Sequence, residues 1–181
     1  MVVNLVLRTQ LLLQEHVLQE YVLLVSDNIL KIERFKIKSK KFIYKNSVKW
    51  EGERKGRLFC ADKPDIQIAP PPEFKGYPGI WTPEDLFIAT VNSCIMTTFL
   101  YYAEREGLKF LSYESQVQGV LERVGREFMF STIKIMPKIL IEKDCDVHRI
   151  KEVIKLSEKY CFISNSIKSK VEITPEIKIK V

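Results

Sequence analysis

Thr82-Pro83-Glu84-Asp85-Leu86-Phe87-Ile88-Ala89-Thr90-Val91-Asn92-Ser93-Cys94 has the marks of a helix start followed by a helix with no solvent face. Thr82 is a capping residue. Pro83 suits the first helical position, where its missing N–H is not needed, and Glu84 and Asp85 lie at the positive end of the helix dipole. From there to Gly107, a natural stop, Leu86, Phe87, Ile88, Ala89, Val91, Ile95, Met96, Phe99, Leu100, Tyr102 and Ala103 cover nearly every face. Other elements must wrap such a helix, so a central, buried helix is predicted.

Upstream the period changes to two. Phe35 and Ile37, then Phe42, Tyr44, Val48 and Trp50, alternate as in extended strands. A turn at Lys55 and Gly56 suggests a hairpin whose second arm is 57–60, and a short strand over 66–69 runs into Pro70, Pro71 and Pro72. Prolines cannot donate to a ladder, so these three predict a rigid connector. Downstream, 113–123 and 127–142 suggest an antiparallel hairpin around Val124 and Gly125, interrupted at Pro137. Val147, Ile150, Val153, Ile154 and Ser157 keep helical spacing for a second helix over 147–160, and a last strand over 171–181 breaks at Pro175. Strands, helix, strands, helix, strand is an α+β order.

Residues 1–27 set Leu11, Leu12, Leu13, Val17, Leu18, Val22, Leu23 and Leu24 near helical spacing, an amphipathic helix that packs on its own domain or on a second subunit. The division expected is a helical extension over 1–34 and an α+β domain over 35–181. Arg8, Glu15, His16 and Glu20 interrupt the apolar runs well short of the roughly 18 to 20 residues a membrane span needs, and no small-residue cleavage site follows. A soluble, cytoplasmic protein without a membrane partner is expected. Apolar residues make up 46% of the chain and charged residues 29%, so it should fold around one core.

Lys and Arg total 29 against 23 Asp and Glu, a net charge of +6. The excess is diffuse: Lys36, Lys38, Lys40 and Lys41, and again Lys168, Lys170, Lys178 and Lys180, mostly alternate with other residues as on a solvated sheet face. With no binding motif beside them, nucleic acid is not expected as a partner. The four cysteines, Cys60, Cys94, Cys145 and Cys161, should stay thiols in an intracellular chain, so any bridge is transient and chemical. Cys145 and His148 form the only close Cys/His pair, and neither a metal nor a bound cofactor is expected.

With a Pro-Glu pair opening the helix and a cysteine ten residues after the glutamate, 82–94 resembles the helix motif of the OsmC/Ohr family, osmotically inducible protein C and organic hydroperoxide resistance protein. Ser157-Glu158-Lys159-Tyr160-Cys161-Phe162-Ile163-Ser164 is similar to the family's second cysteine segment, where Cys-Pro-x-Ser is usual and Phe162 here replaces the proline. The match runs in order from about Phe35 to Val181. It implies antiparallel sheets packed around a long buried helix in an intertwined homodimer, with active sites at the subunit interface. It also implies a peroxidase for small organic hydroperoxides, with Cys94 as peroxidatic thiol, Cys161 as resolving thiol in a transient Cys94–Cys161 disulfide, and an external dithiol reductant of lipoyl type.

The chemistry of these residue types agrees. A thiolate attacks the peroxide oxygen, the alcohol leaves, and a nearby thiol must trap the sulfenic acid before it oxidises irreversibly. A thiolate on an apolar helix needs a cation to stabilise it. The family uses an arginine held by the glutamate, which implies Glu84 and, from Gly52-Glu53-Arg54-Lys55-Gly56, a turn similar to the Gly-Arg-x-Gly of the Ohr branch with one residue inserted before Arg54. Arg57 is the alternative. Ten residues of helix separate Glu84 from Cys94 by roughly 15 Å of rise and about 80° of rotation, so the two can serve one arginine only across a subunit interface.

Outside that motif, Cys94 and Cys161 read as core-filling thiols and Glu84 as a first-turn acid. Cys60 and Cys145 read as structural or incidental, and Trp81 and Tyr77 as braces of the Pro-rich connector rather than the mouth of a pocket. The competing function is a non-peroxidase member of the same family, a redox-sensing or small-molecule-binding dimer.

Overall fold

The computed structural model describes residues 40–142 and 146–180. Asn46–Val181 form one compact unit, distinct from Met1–Lys45. The helix expected over 1–27, the boundary at 34 and 35, and Cys145 fall outside the described residues.

Strands β1 (Ser47–Gly52), β2 (Lys55–Phe59) and β3 (Ile66–Ile68) form an antiparallel sheet in that order. Its first turn comes earlier than expected. Gly52 at φ +102° and Glu53 at φ +49° turn the chain, while Lys55 and Gly56 already belong to β2. A φ near +100° is accessible to glycine and few others, so Gly52 sets the turn, and the Trp50 indole N–H closes it by donating to the Glu53 carbonyl at 2.9 Å. Residues 40–46 form no strand, so the alternation through Phe42 and Tyr44 is not part of a ladder.

The three prolines after β3 become acceptors. Phe74 and Gly76 donate to the Pro71 carbonyl and Tyr77 donates to that of Pro70, at 2.9, 3.0 and 3.2 Å. The returning backbone passes so close that a Cβ on Gly76 would lie 1.6 Å from the Pro70 oxygen.

Helix α1 (Pro83–Arg105) begins with a full capping box, in which Thr82 Oγ1 accepts from the Asp85 N–H at 3.0 Å and the Thr82 N–H donates to Asp85 Oδ2 at 3.1 Å. Asp85 therefore does the capping and leaves Glu84 free for something else. Beyond Arg105, Gly107 at φ +59° ends the helix. Length and apolarity would also suit α1 to a membrane span, but its stripe Val91, Ile95, Phe99 and Ala103, at i+4 intervals, is committed to the protein's own core. Leu100 and Tyr101, off that stripe, stay exposed in a single chain.

The second sheet receives α1. Strands β4 (Ser112–Val124) and β5 (Glu127–Ile141) form a long antiparallel hairpin, and helix α2 (Val147–Tyr160) then carries the chain across to β6 (Lys170–Ile173) and β7 (Glu176–Ile179), both parallel to β5. The sheet is thus mixed rather than antiparallel throughout, as a helical crossover requires. Pro137 does not interrupt β5. Backbone groups alternate sides along a strand, and the carbonyls of Ile135 and Ile141 accept from Thr174 and Lys180, so the Pro137 nitrogen points the same way, into the gap between β6 and β7 where no donor is needed.

Ile133, Ile135, Pro137, Ile139 and Ile141 form the buried face of β5. One core cluster joins Phe99, Ala103, Ile139 and Ile141 to Ile150, Val153 and Ile154 of α2, and the other joins Val91 and Ile95 to Ile133, Ile135 and Cys161. Gly119 lets the start of α1 come down onto β4, since a Cβ there would stand 2.6 Å from Ile88 Cγ2 and 2.8 Å from Phe130 Cε1.

Candidate functional site

Cys94 lies near the middle of α1 and Cys161 caps the C-terminus of α2, its N–H donating to the Ser157 carbonyl at 3.1 Å. The packing of α2 on α1 brings their sulfurs to 2.7 Å, with Cys161 as donor and Cys94 as acceptor. Cys161 is fully buried, and Cys94 is partly open. Burial, then the hydrogen bond to Cys94, push the Cys161 thiol above its ordinary pKa, while Ser164 pulls it down, its backbone N–H meeting the sulfur at 3.4 Å. The pair therefore has an accessible member and a shielded, protonated member.

Cys94 opens on a cavity of about 510 Å³. Thr97, Thr98, Tyr101 and Tyr102 of α1 line it, with Tyr160 and Phe162 from the end of α2. Sequence reasoning named Phe162 as the replacement for a proline and Tyr102 as an apolar helix residue, but placed none of these residues at the site. Half of the signal was present, because Thr97, Thr98 and Tyr101 stand three, four and seven residues after Cys94 and so share its face.

Glu84 is on the same helix but in a different cavity, with Tyr77, Ile80 and Leu121. Its Oε2 is buried and has no hydrogen-bond partner among the described residues. Arg54 is exposed at the tip of the β1–β2 hairpin and has no carboxylate partner among the described residues, whereas Arg57 is held by both oxygens of Glu51 at 2.6 and 3.2 Å. Within one chain, neither Glu84 nor either arginine lines the Cys94 cavity.

Tyr77 and Trp81 brace the connector. The Tyr77 hydroxyl donates to Glu53 Oε2 at 2.5 Å, and the Trp81 carbonyl accepts from the Ala69 N–H at 3.1 Å. Neither lines the cavity at Cys94, although Tyr77 lines that of Glu84. Cys60 is half-buried near the end of β2 and does not line the Cys94 cavity.

Known proteins share this arrangement of elements. An OsmC-like protein of unknown function from Vibrio cholerae superposes with a TM-score of 0.70 at 18% identity, covering 75% of this chain and 99% of that one. An organic hydroperoxide resistance protein OsmC from Legionella pneumophila does so with a TM-score of 0.60 at 19% identity, covering 77% and 100%. In sequence, the uncharacterised protein YmaD of Bacillus subtilis (strain 168) is 26% identical over 118 residues, 63% of this chain and 78% of the relative. The family model for OsmC-like protein matches residues 76–176, a span that holds Glu84, both cysteines of the close pair and the α1–α2 packing that joins them, and the chain belongs to that family.

Proposed function

We propose that the protein is a cysteine-based peroxidase that reduces organic hydroperoxides. The observation that carries this reading is the 2.7 Å approach of an accessible thiol to a shielded one. Cys94, having lost its proton to solvent, attacks the terminal peroxide oxygen. The O–O bond breaks, the alkoxide takes a proton from water and leaves as the alcohol, and Cys94 becomes a sulfenic acid. The Cys161 sulfur then attacks the Cys94 sulfur, water leaves, and a Cys94–Cys161 disulfide remains. An external dithiol, of the lipoyl type that the family resemblance implies, returns both thiols and becomes a disulfide itself.

Among the described residues of one chain, no Lys or Arg lines the Cys94 cavity to supply the cation this chemistry needs. A homodimer answers that, with Arg54 and Glu84 completing a site between subunits. Glu84 Oε2 and Arg54, neither of which has a polar partner among the described residues, and the exposed Leu100, Tyr101 and Trp81 support it. The same missing cation favours a second reading, a redox-sensing or small-molecule-binding dimer that keeps the thiol pair without peroxidase turnover.

Turnover of cumene and tert-butyl hydroperoxides with dithiothreitol separates the two. Wild-type consumption abolished by Cys94→Ser, with a mass in solution of two chains, supports the peroxidase; a wild type no faster than Cys94→Ser leaves the sensor or binding dimer.

A further inference from the structure

We propose that Ser164 is a catalytic residue of the disulfide steps: its hydroxyl and its backbone N–H hold the Cys161 sulfur as a thiolate, both when that sulfur attacks and when it is expelled. This rests on the peroxidase reading and concerns its second half, the exchange between the two cysteines.

Cys161 faces a difficulty that Cys94 does not. It is fully buried, and a thiolate formed there loses its hydration. Among the described residues, burial and Cys94 both raise the pKa of this thiol, and Ser164 is the group that opposes them. The Ser164 N–H donates to the sulfur at 3.4 Å. The Ser164 hydroxyl, close enough to act on the same thiol, is buried and makes no hydrogen bond of normal geometry among the described residues. An unsatisfied buried hydroxyl is costly, and a neutral thiol is a weak acceptor, whereas a charged sulfur is a strong one. The hydroxyl is therefore unspent in the resting state and matched to the charged state.

The surrounding turn holds that aim. The Asn165 N–H donates to the Cys161 carbonyl at 3.1 Å, and the Asn165 side chain to the Lys159 carbonyl at 3.0 Å, folding the chain back on the end of α2. The other hydroxyl of the turn, that of Ser166, is committed to the Phe162 carbonyl at 2.7 Å. These bonds fix the turn without a proline at 162, where the phenylalanine is 83% exposed.

In the forward step the Cys161 proton passes to the sulfenic oxygen of Cys94. The Cys161 electron pair forms the S–S bond, the S–O bond breaks, and water leaves. In the return step a thiolate of the external dithiol attacks the accessible Cys94 sulfur, the S–S bond breaks towards Cys161, and the Cys161 thiolate leaves and regains a proton from water. The second thiol of the reductant then frees Cys94. A stabilised thiolate leaves faster, so the same two donors serve both directions.

The test uses the full chain as wild type, Ser164→Ala and Ser164→Thr. With one equivalent of cumene hydroperoxide, Ser164→Ala should consume the peroxide at the wild-type rate but form the Cys94–Cys161 disulfide about tenfold more slowly, with the midpoint of that rate's pH profile moved up and more Cys94 trapped by dimedone. Disulfide prepared with diamide and reduced by dithiothreitol reads the return step without peroxide, and Ser164→Ala should be slowed about tenfold there too. Ser164→Thr, which keeps the hydroxyl, should restore both rates. Thermal unfolding of Ser164→Ala should match or exceed that of the wild type, since no native hydrogen bond is lost. Wild-type rates of disulfide formation and reduction in Ser164→Ala overturn the proposal. So does a loss of stability that accompanies the loss of rate, which makes the side chain a packing group. A wild type that consumes no hydroperoxide sinks the peroxidase reading, and the diamide and dithiothreitol rates still decide for or against Ser164.

Discussion

The Cys161 thiol donates a hydrogen bond to Cys94 Sγ across 2.7 Å of space and 67 residues of sequence. Bonded sulfurs stand about 2.05 Å apart, so bridging these two asks for a side-chain adjustment and little backbone motion. One equivalent of hydroperoxide should therefore give an intramolecular disulfide, seen as the loss of two hydrogens and a crosslinked peptide pair containing Cys94 and Cys161. In Cys161→Ser the oxidation should halt at a Cys94 sulfenic acid that dimedone traps. A disulfide between chains, or dimedone trapped on Cys161, would contradict this geometry.

The two thiols should differ sharply toward alkylating agents. Cys94 opens on a cavity, whereas Cys161 is fully buried and its pKa is pushed up by that burial. Iodoacetamide near neutral pH should label Cys94 about tenfold faster than Cys161 in the native chain, with the difference vanishing in urea. Comparable native rates would mean that the α1–α2 contact opens readily.

A raised native pKa means that the folded chain holds its proton more tightly than the unfolded chain. The stabilisation from Cys161 is fully present below the unfolded thiol value of about 8.5 and is lost as pH climbs through the higher native value. Tyr113, whose phenol is also pushed up by burial, adds a loss of the same sign beginning near pH 10. Denaturant unfolding between about pH 7 and 11 should show stability falling in that order. Cys161→Ala should flatten the first part of the slope and Tyr113→Phe the second; a wild-type profile flat to pH 11 would remove the basis for both.

Two glycines should differ in what a methyl group does. At Gly119 a Cβ meets side-chain atoms of Ile88 and Phe130 rather than backbone, so Gly119→Ala should cost about 1 to 3 kcal/mol. At Gly76 the obstacle is the Pro70 carbonyl oxygen at 1.6 Å, which cannot move without opening the proline loop, so Gly76→Ala should cost more. Thermal unfolding of the two variants decides it, and the reverse order would be evidence against the loop geometry.

What the sequence made legible was local. Thr82, Pro83 and Gly107 punctuate α1 within a turn of each end, and the cap and stop fall where they indicate. The hairpin turn was misplaced because Gly52 and Gly56 compete at a separation of four, and only the backbone angle at Gly52 decides between them. Pro137 looked like a break because its tolerance comes from the gap between β6 and β7, some 40 residues away in the chain. The parallel pairing of those strands was invisible for the same reason. At the site, the motif pointed to both cysteines, but Tyr160 at the end of α2 and Phe162 in the turn beyond it come to the cavity from elsewhere in the chain, and no period within α1 could announce them.

Because Cys94 is in α1 and Cys161 ends α2, the chain between them holds the second half of α1, the whole β4–β5 hairpin and all of α2. Joining the sulfurs turns that stretch into a covalent ring, and closing a loop of this length disfavours the unfolded ensemble by about 4 kcal/mol in the chain-entropy picture. Oxidation state and lifetime are then linked. If the proposed oxidation joins the two sulfurs, the oxidised chain should resist unfolding, and the proteolysis that follows unfolding, better than the reduced one.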